Sequence, residues 1–211
     1  MISAIVLAAF ATFQLEIPLV DLVVEPAKGF SHSSALVGGV ITDSKPREVP
    51  RLPLAVKLES ISMAPSQPDL RIVVVLVTNV SGAPYALAVG RDGGAALSPG
   101  NRGRREVSFW LRSAPRPDNS LGTLGGTLVY ASEDTTGSLL ALPPGGSVRV
   151  RFPANLKLAF RAVYEWKKAG VRGVDVRADV AETLYADRTD NYYVQRTTSV
   201  ISDNSLTMPL E

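Results

Sequence analysis

The chain has 211 residues, 45% hydrophobic and 20% charged, enough apolar surface for a core, which argues against global disorder. Its 22 Lys and Arg nearly balance its 20 Asp and Glu, leaving a formal charge of +2, and no basic run exceeds two residues, so nucleic acid is not an expected partner. It has no cysteine, which excludes a disulfide scaffold, a thiolate metal site and a cysteine nucleophile.

The chain opens with "MISAIVLAAFA". Ile2 to Phe10 is apolar, and Ala9-Phe10-Ala11 has the small-x-small form of a cleavage site. Residues 1–11 therefore read as an export signal, with a secreted or periplasmic location to match. The start carries no Lys or Arg, which leaves an N-terminal hydrophobic strand as the other reading. Glu16, Pro18 and Asp21 interrupt the apolar run well before the roughly 18 residues of a transmembrane span, and none is expected.

Residues 12–53 read as an arm. "LEIPLVDLVV" (15–24) is extended, and Pro18 suits an edge position. Pro26, Gly29, Gly38, Gly39, Pro46 and Pro50 punctuate the rest, around one short strand near Leu36–Thr42. A β-sandwich domain is expected over 54–211. In "LAVKLESIS" (54–62), Leu54, Val56, Leu58 and Ser60 share a face under period two. "LRIVVVLVTNVSG" (70–82) is apolar on both faces and β-branched, as a covered central strand would be. "YALAVG" (85–90) follows at hairpin distance.

Residues 91–125 read as a long polar insertion carrying one strand, "EVSFWLR" (106–112). Val107, Phe109 and Leu111 lie on one face of it and Trp110 on the other. "GTLVYAS" and "SLLAL" follow. Then "PPGG" (143–146) ends any ladder, since proline lacks the amide donor and glycine accepts the reversal. Val148, Val150 and Phe152 point inward behind it, with Arg149 and Arg151 outward. "NLKLAFRAVYEWKKAG" (155–170) fits both periods. Its length, Asn155 at the cap position, Lys167 and Lys168 in the last turn and Gly170 just past it favour a helix at about 155–169 over a long strand. As a helix it turns Leu156, Phe160, Val163 and Trp166 inward. "VDVRADVAETL" (174–184) alternates again, and "SDN" turns the chain into "SLTMPL".

Eight to ten short strands with one helix predict an all-β, antiparallel two-sheet sandwich. The series "VVVLVTNVSGAPYALAV", "LLALPPGGSVRVRF", "VDVRADVAETLY" and "SVISDNSLTMPL" resembles bacterial immunoglobulin-like (fibronectin III-like) sandwich domains over about residues 54–210. That resemblance implies adhesion, binding or spacing more often than catalysis.

The chemistry-bearing residues fit this picture. His32 is the only histidine, and no G-x-S-x-G elbow accompanies its neighbouring serines. Glu133, Asp134, Asp187 and Asp190 lie in loops without EF-hand spacing and read as turn chemistry, so no metal or other cofactor is expected. Asp175 and Asp179 share a strand face with Arg177 between them, which reads as a surface charge ladder rather than a glycosidase pair. Asn79-Val80-Ser81 is formally a glycosylation sequon that its strand-end position explains. "GTLGGT" lacks the strand–turn–helix setting of a dinucleotide fingerprint. The ligand-binding candidates are Trp110, as a stacking ring, and Arg102, Arg104 and Arg105, with Arg112 and Arg116 following, as an anion-binding patch. The sequence thus predicts an exported, non-enzymatic binding or spacer protein whose partner is protein or polysaccharide at the cell envelope. The alternative is a carbohydrate-binding module or weakly glycoside-active protein, and exposed strand edges offer a route to homo-oligomers.

Overall fold

A computed structural model describes residues 16–23, 39–42, 52–89, 105–113, 122–131, 139–189 and 192–210. In chain order the strands are β1 (Leu19–Asp21), β2 (Gly39–Thr42), β3 (Leu54–Ala64), β4 (Gln67–Asn79), β5 (Tyr85–Ala88), β6 (Arg105–Ser113), β7 (Thr123–Ala131), β8 (Leu139–Leu142) and β9 (Ser147–Asn155). A 3-10 turn (Leu156–Ala159) leads into helix α1 (Phe160–Lys168), and β10 (Gly173–Thr189), β11 (Tyr192–Ile201) and β12 (Leu206–Pro209) close the chain.

The architecture is all-β and sandwich-like. One sheet has the order β1-β9-β4-β3, the second β2-β11-β10-β6-β7 with β12 also on β10, and β5 pairs with β8 in a small third sheet. Most pairings are antiparallel. The exceptions are β1 on β9 and β2 on β11, which run parallel. Pro18 immediately precedes β1. Its carbonyl accepts the Arg149 amide, while its missing N–H costs no ladder bond at the edge.

The alternating side chains meet between the sheets. Val73, Val75, Val77, Val148, Val150 and Phe152 of the first sheet face Val107, Phe109, Leu111, Val176, Ala178 and Val180 of the second, all buried. The Phe109 and Phe152 rings sit 5.7 Å apart at 37°, a tilted pair at the centre. Outside, Arg149 reaches Glu59 at 2.8 Å and Arg151 reaches Asp21 at 2.8 Å. The arginines in "SVRVRF" thus lie on the outer face and tie β9 to β3 on one side and to β1 on the other.

Four local expectations are corrected. Ser60 does not follow Leu54, Val56 and Leu58 inward. A bulge between Leu58 and Ser60 shifts the register, turning Ser60 outward and Ile61 against the core. β5 does not pair back on β4. Asn79 ends β4 fully buried, and its Nδ2 donates to the carbonyls of Ala83, Leu142 and Pro143 while its Oδ1 accepts from Ser81. This knot sends β5 to β8, and it occupies the amide that a glycan would need. β6, inside the stretch read as an insertion, is an inner strand between β10 and β7. Finally, the helix is present at the expected place, with the Asn155 side chain accepting the Lys157 amide and Gly170 at φ 75° past its end. However, its first four residues wind as a 3-10 turn. At three residues per turn Leu156 and Phe160 no longer share a face, and Phe160 is 63% exposed while Leu156 is buried.

The two sheets are also joined along one side. Between β11 and β12, Ser202-Asp203-Asn204 leaves β10 and meets the open edge of β3. The Asp203 amide donates to the Val56 carbonyl, the Leu58 amide donates to Asn204 Oδ1 (2.9 Å), and Asn204 Nδ2 donates to the Leu58 carbonyl (2.8 Å). Asn204 thereby behaves as one residue of a neighbouring strand. At the far end of β4, buried Arg71 donates to the carbonyls of Pro68 and Pro209 and pins the β3–β4 hairpin to β12. Burial pulls the Arg71 guanidinium below its ordinary pKa, with nearby Asp69 opposing.

Candidate functional site

The strand register places one transverse row on the outer face of the second sheet: Gly126 on β7, Trp110 on β6, Asp179 on β10 and Ile201 on β11. Adjacent strands lie about 4.8 Å apart, so each residue is the direct cross-strand neighbour of the next. A Cβ at Gly126 would stand 2.6 Å from Trp110 Cε3 and 2.2 Å from the Phe109 carbonyl oxygen. The indole thus occupies space that any side chain at 126 would need, which is why glycine stands there. The neighbouring Gly125 serves a different approach, with Asn155 backbone 2.6 Å from its would-be Cβ. The second and third glycines of "GTLGGT" are therefore packing glycines. A glycine pair inside a strand pattern is the signal that could have pointed to Trp110's partner.

Trp110 is half-buried, whereas Asp179 is only 2% exposed. Arg112, two residues along β6 on the same face, stands directly opposite Arg177 in the ladder. It turns away from that like charge. Its Nε donates to Asp179 Oδ2, and its Nη1 donates to Thr123 Oγ1 at 3.2 Å. Asp179 Oδ1 is buried and has no hydrogen-bond partner among the described residues. Burial raises the Asp179 carboxyl above its ordinary pKa, and the Arg112 charge and hydrogen bond only partly offset that rise. The surface charge ladder expected at 175–179 is thus corrected. Asp175 is exposed and accepts from Thr207 Oγ1 at 2.7 Å, while Asp179 is buried and paired with Arg112. Their Cα atoms are about 14 Å apart at strand rise, wider than the roughly 5–9.5 Å between glycosidase carboxyls.

Of the other sequence-predicted binding residues, Arg105 opens β6 opposite Leu184 and Ala131. It lies five residues, about 17 Å, from Trp110 along the strand. Arg102 and Arg104 lie outside the described residues, as do Arg116, His32, Glu133, Asp134 and Asp190. The arginine that the fold gives Trp110 as a neighbour is Arg112, which strand alternation already puts on the Trp110 face and which follows the basic stretch in the chain. Trp166, the other tryptophan, packs part-buried against the core. On the core side of the same sheet, Tyr85 Oη donates to Glu182 Oε2 at 3.0 Å and Thr198 stands opposite Glu182. No group of three or more His, Asp or Glu among the described residues is placed to hold a metal ion.

The arrangement is suited to binding. An indole face and a guanidinium share one face of a rigid sheet, with buried Asp179 holding the guanidinium, and a ring beside a cation suits a polar ligand carrying an apolar face.

No protein-family model matches this chain, and no curated protein matches it. A crystal structure of a protein from Archaeoglobus fulgidus is 11% identical and aligns over 74% of this chain and 100% of that one, with a TM-score of 0.31. The solution structure of an Arabidopsis thaliana protein is 12% identical and aligns over 82% of this chain and 94% of that one, also with a TM-score of 0.31. Similarity at that level does not bear on what this protein does.

Proposed function

We propose that this chain is an exported, non-catalytic binding or spacer protein of the cell envelope, built on an immunoglobulin-like sandwich. The observation that carries the binding half is the outward face of β6, where the half-buried Trp110 indole, opposite Gly126, shares the sheet surface with the Arg112 guanidinium held by buried Asp179. The apolar start at 1–11 supports export. A second reading, a carbohydrate-binding module, is favoured by Trp110 itself, because an indole face stacks on the apolar face of a pyranose.

Two measurements test these readings. Fractionation of cells expressing the tagged chain should recover it in the periplasm or medium, starting near residue 12. Cytosolic recovery with Met1 intact would remove export. A glycan array probed with the purified chain, and with Trp110→Ala, separates the binding readings. Signal lost in the variant assigns the row to sugar, and a silent array leaves the protein-binding or spacer form.

A further inference from the structure

The face of α1 turned away from the sandwich has an unusual composition. Phe160 is 63% and Tyr164 62% exposed. Four residues apart, they lie one above the other, and Lys168 continues the same stripe. Arg161 and Lys167 flank it, both exposed, and the Arg161 guanidinium carbon sits 6.0 Å from the Phe160 ring centroid. From Leu156 to Arg172 there are five cations (Lys157, Arg161, Lys167, Lys168 and Arg172) against one acid, Glu165. The opposite face is accounted for, since Val163 and Trp166 pack against the core. Nothing in the fold requires two large aromatic rings on the solvent side.

We infer that this face docks on an anionic lipid surface. Apolar and amphipathic rings within a collar of Lys and Arg match the bilayer interface, where rings enter the headgroup boundary and cations meet acidic headgroups. The charge complementarity is specific in sign, as anionic lipid attracts this collar and zwitterionic lipid does not. The ring pair alone would suit any apolar partner; the cations select this one. The inference deepens the envelope reading above, on which it rests, by naming the surface the protein would meet.

The test is co-sedimentation of the full purified chain with vesicles of phosphatidylcholine alone and with phosphatidylglycerol added. Two variants are compared, Phe160→Ser with Tyr164→Ser, and Lys167→Glu with Lys168→Glu. All four positions are exposed, and thermal melts should confirm unchanged folding. Binding is expected only with phosphatidylglycerol, weakened by salt and not competed by inorganic phosphate. The ring variant should bind about tenfold more weakly or worse, and the charge-reversal variant should lose binding. Equal binding to both vesicle types, or unchanged binding by the ring variant, overturns the inference. So does a dimer in light scattering that the ring variant abolishes, which would assign the face to a second copy. Vesicle binding does not depend on where cells send the chain. An exported chain that ignores lipid therefore sinks this inference alone, while a cytosolic chain that binds lipid sinks the export reading.

Discussion

Asn204→Ala removes a side chain that hydrogen-bonds the β3 edge from across the gap between the sheets. Two bonds disappear, one from the Leu58 amide at 2.9 Å and one to the Leu58 carbonyl at 2.8 Å. Each contributes about 0.5–1.5 kcal/mol net, so the expected loss is about 1–3 kcal/mol. The low end applies if water takes the vacated place, and the high end if the Leu58 backbone stays dry. For a chain of this size that corresponds to a Tm lower by about 2–12 °C. Asn204→Asp sharpens the test. A carboxylate still accepts the Leu58 amide, but it sets a second oxygen against the Leu58 carbonyl with no proton between them. The Asp variant should therefore be at least as destabilised as Ala at pH 7. It should recover relative to Ala below about pH 4, where the protonated carboxyl donates. Thermal unfolding followed by near-UV circular dichroism at both pH values measures this. The opened edge should also show as concentration-dependent light scattering in the Ala variant. An Ala variant within about 0.5 kcal/mol of wild type, or an Asp variant milder than Ala at pH 7, would refute the strand-mimic role.

Phe152→Ala deletes half of the central ring pair at a fully buried site and should cost about 3–5 kcal/mol in urea unfolding; a loss under about 1 kcal/mol would mean that the two sheets do not meet at these rings. Asp179→Asn tests the sealed carboxyl. With its folded pKa raised by burial, Asp179 keeps a proton that the unfolded chain has already released. Stability therefore falls as pH rises from the ordinary aspartate value through the folded pKa. The Asn variant lacks this loss, so its stability relative to wild type should increase across that window in pH-dependent denaturation curves. The opposite slope would show that Arg112, not burial, governs the group.

Much of the fold is legible in the residues because strand burial has period two. Val148, Val150 and Phe152, and likewise Val107, Phe109 and Leu111, can be assigned inward without coordinates. The helix ends are legible too, because Asn155 and Gly170 satisfy needs that arise within a few residues. The bulge at Glu59 is not, since it is a relation between two strands. Nor is the phase of the helix, which a single 3-10 turn resets and which leaves Phe160 outside. The candidate site was half legible. Trp110 stands out as an aromatic on the polar side of its strand, but its neighbours come from register. Arg112 rather than Arg105 accompanies it because strand rise separates 105 from 110, while strand pairing brings 112 beside 179.

Residue pattern alone is enough to read pleated ribbons with a helix near 155–169, where most of the turns fall, and which side of most strands is apolar. These follow from backbone chemistry and side-chain alternation over neighbouring residues. The packed sheets were needed to reveal that Asp179 is buried against Arg112, that Asn204 bonds the edge of the opposite sheet, and that two aromatic rings of the helix face outward. Those outcomes depend on which distant strands lie side by side, and burial and pairing belong to the assembled sheets rather than to any one segment.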